Sequence, residues 1–144
     1  MNTISKSIVG LTCLLAITSC ELFTIGGGSR GPVQIERSQR SSAGVAHLIT
    51  AEIDSGNTVA ATELMVHSSG RQLLAVEKFE LADEIQRWET IMAGKPISST
   101  VVDTISDSTH KVRITLDYVR TMQFYTLRKG SLWWVTKITD APKR

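Results

Sequence analysis

The hydrophobic period of this chain changes once, at Gly94-Lys95-Pro96, and that change confines the fold to a narrow class. Before it, apolar residues recur at the spacing of three and four that marks an amphipathic helix. Val45, Leu48, Ile49 and Ile53 form one such set, Ala60, Ala61, Leu64 and Met65 a second, and Leu74, Leu81, Ile85, Trp88 and Met92 a third. After it the period is two: Val112, Ile114, Leu116 and Tyr118 alternate with Arg113, Thr115 and Asp117, as in a half-buried strand. Helices followed by an antiparallel sheet define an α+β domain.

The punctuation sets the boundaries. Ser41 or Ser42 can cap a first helix to about residue 53, and Asp54-Ser55-Gly56-Asn57 stops it. Asn57 or Thr58 caps a second helix to about residue 67, and Ser68-Ser69-Gly70 breaks it. A long third helix covers residues 72–93, either continuous or interrupted near Phe79, and Gly94-Lys95-Pro96 ends it. Residues 97–105 read as a Thr/Val-rich strand, 106–110 as a polar turn and 112–118 as a second strand. Residues 122–127 and 132–138 flank Arg128-Lys129-Gly130-Ser131, an antiparallel hairpin with Lys129-Gly130 as its tight turn.

That order is similar to the nuclear transport factor 2-like superfamily, and to small bacterial lipoproteins of unknown function within it. The likeness rests on Ala51-Glu52-Ile53-Asp54-Ser55-Gly56-Asn57, Ala60-Ala61-Thr62-Glu63-Leu64, Gly94-Lys95-Pro96-Ile97 and the hairpin Leu127-Arg128-Lys129-Gly130-Ser131-Leu132-Trp133-Trp134-Val135. It spans residues 41–138, nearly all of the domain. The resemblance implies helices packed in the concave face of a curved antiparallel sheet, forming a cone. It also implies dimerisation through the outer sheet face, which is frequent in the superfamily. The chain departs from these relatives at Glu52, where they usually carry a small or apolar residue.

The first nineteen residues have the design of an export signal. Lys6 provides the positive end, and residues 8–17 form an apolar run within the ~7–15 of a signal core; about 20 would be needed to span a bilayer. Ile17-Thr18-Ser19-Cys20 resembles the lipobox of bacterial lipoproteins, in which cleavage precedes the Cys and its thiol carries a diacylglycerol. Because Cys13 leaves with the signal, Cys20 is the one remaining thiol and has no disulfide partner within the chain. Each buried methylene contributes ~0.8 kcal/mol, so two or more acyl chains hold stably where one does not. In Gram-negative lipoproteins Asp directly after the lipidated Cys causes inner-membrane retention, so with Glu21 in that place the resemblance implies the outer membrane, facing the periplasm. Residues 20–40, with Gly26-Gly27-Gly28-Ser29-Arg30-Gly31-Pro32, then form a tether with a reach of roughly 25 Å. The Gly run lacks the Gly-Lys-Ser/Thr ending of a phosphate loop. The domain occupies residues 41–144, roughly a hundred residues, enough for one modest core.

Charge excludes one partner class. The chain carries 16 basic and 14 acidic residues, and loss of Lys6 with the signal leaves +1, too little to favour nucleic acid. The spacing of His47, His67 and His110 matches no zinc site, and no cofactor motif is present. All three histidines are expected at the surface, and the acidic run 77–89 on the solvated face of the third helix.

Two functional readings remain. In the first, the tethered domain is a non-catalytic module that binds an envelope protein, a second copy or an apolar small ligand. Its candidate interface is the aromatic hairpin: Phe124, Tyr125, Trp133 and Trp134. Both hairpin faces are apolar, with Met122, Phe124, Trp133 and Val135 on one and Tyr125, Leu127, Leu132, Trp134 and Ile138 on the other. A one-residue change in turn length exchanges the faces, so either Trp133 or Trp134 can be the inward one. In the second reading the cone is the pocket of a small enzyme. Glu52, on the helix face turned to the cone, is then the general acid or base, with Trp88 and Tyr118 lining the pocket. The alternative for Glu52 is an ordinary last-turn carboxylate that reaches solvent or an Arg.

Overall fold

Ser41 fixes where the first helix starts. In a computed structural model that describes residues 34–141, its side chain accepts a hydrogen bond from the Gly44 N–H at 2.9 Å and opens α1 (Ser42–Asp54), satisfying one of the free first-turn donors. The expected signal, Cys20 and most of the Gly-rich tether lie outside the described residues. Asn57 caps α2 (Thr58–Glu63) in the same way, accepting from the Ala60 N–H at 3.3 Å.

α2 stops well before residue 67. Leu64 closes the helix as its C-cap, and Met65 and Val66 lie along the last strand, where the Val135 N–H donates to the Leu64 carbonyl at 3.0 Å and the Val66 N–H to the Val135 carbonyl at 2.9 Å. Pairing the backbone groups of an edge strand has outweighed another helical turn. α3 (Ala75–Met92) runs through Phe79 unbroken. At its start the Glu77 carboxylate accepts from the Leu74 N–H at 2.7 Å and holds both ends of the Arg71 guanidinium, at 2.7 and 2.5 Å. The Arg71 hydrogen bonds, with that of Leu74 next, lower the Glu77 pKa to about 2.

The sheet is antiparallel throughout, in the order β1 (Ile97–Ser106), β2 (Thr109–Leu116), β3 (Arg120–Lys129), β4 (Leu132–Asp140). β2 ends at Leu116, and Asp117 and Tyr118 form the following turn with positive φ, so Tyr118 is not the strand residue its alternation predicts. Val112, Ile114, Leu116, Met122 and Phe124 face inward at 0 % exposure and meet Val45, Ala46, Ile49 and Ile53 of α1. α1 touches all four strands, whereas α2 and α3 pack chiefly on α1 and on each other.

The β3–β4 hairpin turns one residue later than expected, on Gly130-Ser131, with Gly130 at φ 63. This moves the register by two residues, which leaves the faces unchanged. Trp133 therefore points inward, 7 % exposed, and Trp134 sits half-buried on the outer face. Farther along, Tyr125 pairs with Lys137 and Thr126 with Val135, so Thr136 is the extra residue of a β-bulge. The bulge reverses the alternation, and Ile138, grouped with Trp134 by strict alternation, instead joins Trp133 in the core at 3 % exposure.

Trp133→Ala should therefore cost about 3–5 kcal/mol of unfolding free energy, and Trp134→Ala a fraction of that. Urea titration of the two variants beside the parent measures both; equal losses would refute the inward assignment of Trp133.

Candidate functional site

The concave side of the sheet is filled. Phe124, Ile49, Ile53, Ile114 and Met122 are each at 0 % exposure between α1 and the strands. Glu52 is half-buried, and its carboxylate accepts a hydrogen bond from the Asn57 side-chain amide at 2.8 Å. It closes the turn between α1 and α2. Tyr118 is 86 % exposed, with its N–H donating to the Ser98 hydroxyl at 2.8 Å. Trp88 packs on the core from α3 with its indole N–H buried and without an acceptor. The three pocket candidates are thus held by three separate local environments. Among the described residues no group of three or more His, Cys, Asp or Glu is placed to hold a metal ion.

Two of the histidines expected at the surface instead fasten α1 to the sheet. His47 Nε2 lies 2.7 Å from the Thr100 hydroxyl of β1. His110 is the second residue of β2, its Nδ1 2.8 Å from the Ser42 hydroxyl and its ring against that of Trp133, centroids 4.3 Å apart and planes tilted by 35°. Helical spacing places His47 off the apolar stripe of α1, but β1 reaches that flank and offers a hydroxyl. Burial, and then the nearby Arg37 charge, push the His47 pKa below its ordinary value.

The outer face of the sheet is the open one. Tyr125, Leu127 and Trp134 lie half-buried on it, whereas Phe124 and Trp133, candidates for the same interface, belong to the core because their side chains face α1. Beside them a cleft of about 1170 Å³ is lined by Lys95, Lys111, Arg113, Arg120, Gln123 and Asp140, among others. Arg113 is anchored to Asp103 at 3.0 Å, with Lys111 at 3.7 Å from the same carboxylate, and Arg120 grips Asp140 at 2.5 Å. Asp103 thus serves two cations, and Lys95 directs its ammonium to the Ile91 carbonyl, with no carboxylate paired to it among the described residues. The cleft thus sets four cations beside Asp117 and Asp140, with Tyr125 next to Lys111 across the β2–β3 pair.

The fold has a solved counterpart. A crystal structure from Campylobacter jejuni, of a protein provisionally identified as a nuclear transport factor 2-like transpeptidase, superposes with a TM-score of 0.50 at 17% sequence identity, covering 67% of this chain and 99% of that one. The domain is therefore an α+β cone of the nuclear transport factor 2-like type. No family model matches the chain, and no curated protein matches it.

The His47 clamp has a pH signature. Its pKa in the folded chain lies below the ordinary 6.5, so on acidification through 6.5 the unfolded chain takes up a proton before the folded one does, and stability falls. Thermal unfolding between pH 8 and 5 should show that fall, and His47→Gln should remove part of it. A parallel fall in parent and variant would contradict the assignment.

Proposed function

We propose that the chain is a lipid-anchored lipoprotein of the cell envelope, tethered through Cys20 in the outer membrane and facing the periplasm. Its domain acts as a non-catalytic binding module for an envelope protein. The packed concave face is the observation that carries the non-catalytic part. With Phe124 and Met122 against Ile49 and Ile53 at 0 % exposure, the space a substrate would occupy in a cone holds core side chains. Glu52 supports the same reading, since its carboxylate is engaged at a turn by Asn57.

The partner surface in this reading is the outer sheet face, where Lys95, Lys111 and Arg113 border Gln123, and Tyr125 and Trp134 provide half-buried aromatic area. Aromatic and Arg side chains are the residue types that anchor interfaces. The Campylobacter protein's transpeptidase designation stays with that protein, since a likeness at 17% identity transfers the fold.

Two measurements test the proposal. Mass spectrometry of the chain extracted from membranes should find Cys20 as the N-terminus with a diacylglyceryl group on its sulfur; an unmodified Cys20 would refute the anchor. A photo-crosslinking residue at Gln123 should trap a defined partner in intact cells, and Lys111→Glu should abolish that product. The same residue at Val59, which is 73 % exposed on α2, should trap nothing comparable. Identical products from both positions, or a Gln123 product indifferent to Lys111→Glu, would remove the outer face from the proposal.

A further inference from the structure

The two edges of the sheet are finished differently. Along β4 the backbone is covered: Leu64 and Val66 bond to Val135, and the Trp133 N–H donates to the Gln39 carbonyl at 2.7 Å while the Gln39 side-chain amide donates to the Trp133 carbonyl at 3.1 Å. Along β1 no described residue pairs with the side turned away from β2. An uncovered edge carries a row of free N–H and C=O groups, and soluble proteins ordinarily blunt such an edge with Lys, Pro or a very short strand. β1 has ten residues, contains neither Lys nor Pro, and exposes Val101 at 45 %, Val102 at 41 % and Ile105 at 60 %. Its single charge, Asp103, is turned back onto its own sheet by Arg113 and Lys111.

We propose that this edge pairs with the β1 edge of a second copy of the chain, antiparallel and about a two-fold axis at Val101, joining two four-stranded sheets into one of eight. The occupant and the register follow from self-complementarity. Residues opposed in an antiparallel pair point to the same face, so a two-fold register must set a residue against itself or against one an even number away. Centred on Asp103 it would oppose two carboxylates, which is destabilising. Centred on Val102 it would set Val101 against Asp103, and centred on Thr100 it would set Ile97 against Asp103. Centred on Val101 it sets Val101 against Val101, Thr100 against Val102, and the Ser99 hydroxyl against the Asp103 carboxylate. All of these lie within the stretch 99–104, which pairs regularly with β2 between two register shifts. The edge is separate from the cleft on the outer face, so this inference does not rest on the proposed function.

The test is disulfide trapping in the full-length chain in intact cells. Two Cα atoms opposed in an antiparallel pair lie about 4.5–5.5 Å apart, inside the roughly 4.4–6.8 Å that a disulfide bridges. With copper phenanthroline as oxidant, Val101→Cys should give a covalent dimer on a non-reducing gel, well above the parent, which carries only Cys13 and Cys20. Val59→Cys on α2 should not. No dimer from Val101→Cys, a dimer from Val102→Cys in its place, or equal trapping at Val59 would each overturn the proposal. A second measurement avoids any demand on disulfide chemistry: sedimentation of the detergent-solubilised full chain should show a dimer for the parent and a monomer for Val101→Lys, which sets two ammonium groups opposite each other. Circular dichroism should show both variants folded alike, and a parent that sediments as a monomer would overturn the inference.

Discussion

Everything in this domain hangs on the contact between α1 and the inner face of the sheet. α1 meets all four strands, and α2 and α3 reach the core by packing on α1. Its buried side, Val45, Ala46, Ile49 and Ile53, supplies the apolar area, but an apolar stripe alone would allow the helix to slide or rotate. Position comes from polar contacts at its flanks. Ser42 is tied to His110 on β2, His47 to Thr100 on β1, and Asp54 accepts from the Gly94 N–H at 2.6 Å where α3 hands over to the sheet. The non-directional term holds the helix down and the directional ones fix its place.

Filling the concave face in this way decides what kind of surface remains. A cone with a packed interior offers its outer face and its edges, and in this chain those carry the unusual chemistry. The outer face bears cations in excess of the carboxylates that serve them, and the β1 edge bears β-branched apolar residues where a charge would be protective. Interfaces formed by such features depend on the rigidity of the strands beneath them and little on any moving part.

The sequence discloses the elements of this fold more readily than the details of its site. Period and caps are local properties, so the helices, the sheet and their order are legible from Ser41, Asn57 and Gly94-Lys95-Pro96. The two faces of the last hairpin are legible as sets, since alternation survives a register change of two residues. What escapes is non-local. The bulge at Thr136, which carries Ile138 into the core, has no mark in the residues around it, and the pairing of Leu64 and Val66 with Val135 truncates a helix whose local pattern continues to residue 67. Glu52 illustrates the limit at the site itself: a helical wheel turns it toward the cone, but its neighbour across the turn, Asn57, takes hold of it. The clamps join groups far apart in sequence: His47 of α1 meets the Thr100 hydroxyl of β1, 53 residues on, and His110 of β2 meets the Ser42 hydroxyl of α1, 68 residues back.

Gly44 has a mechanical meaning. A β-carbon there would lie 2.5 Å from the Ser38 carbonyl oxygen and 2.8 Å from that of Glu36, so the chain leading into the domain crosses α1 in direct backbone contact. Immediately after that crossing Gln39 grips both backbone groups of Trp133 on β4. A pull on the chain from its N-terminal side is therefore borne first by the Gln39–Trp133 pair and the Gly44 crossing, and reaches the first turn of α1 only when those have parted. The entry segment is thus a short strap laid over α1 and fastened to β4, and a load on the chain enters the domain through the sheet as well as through the helix.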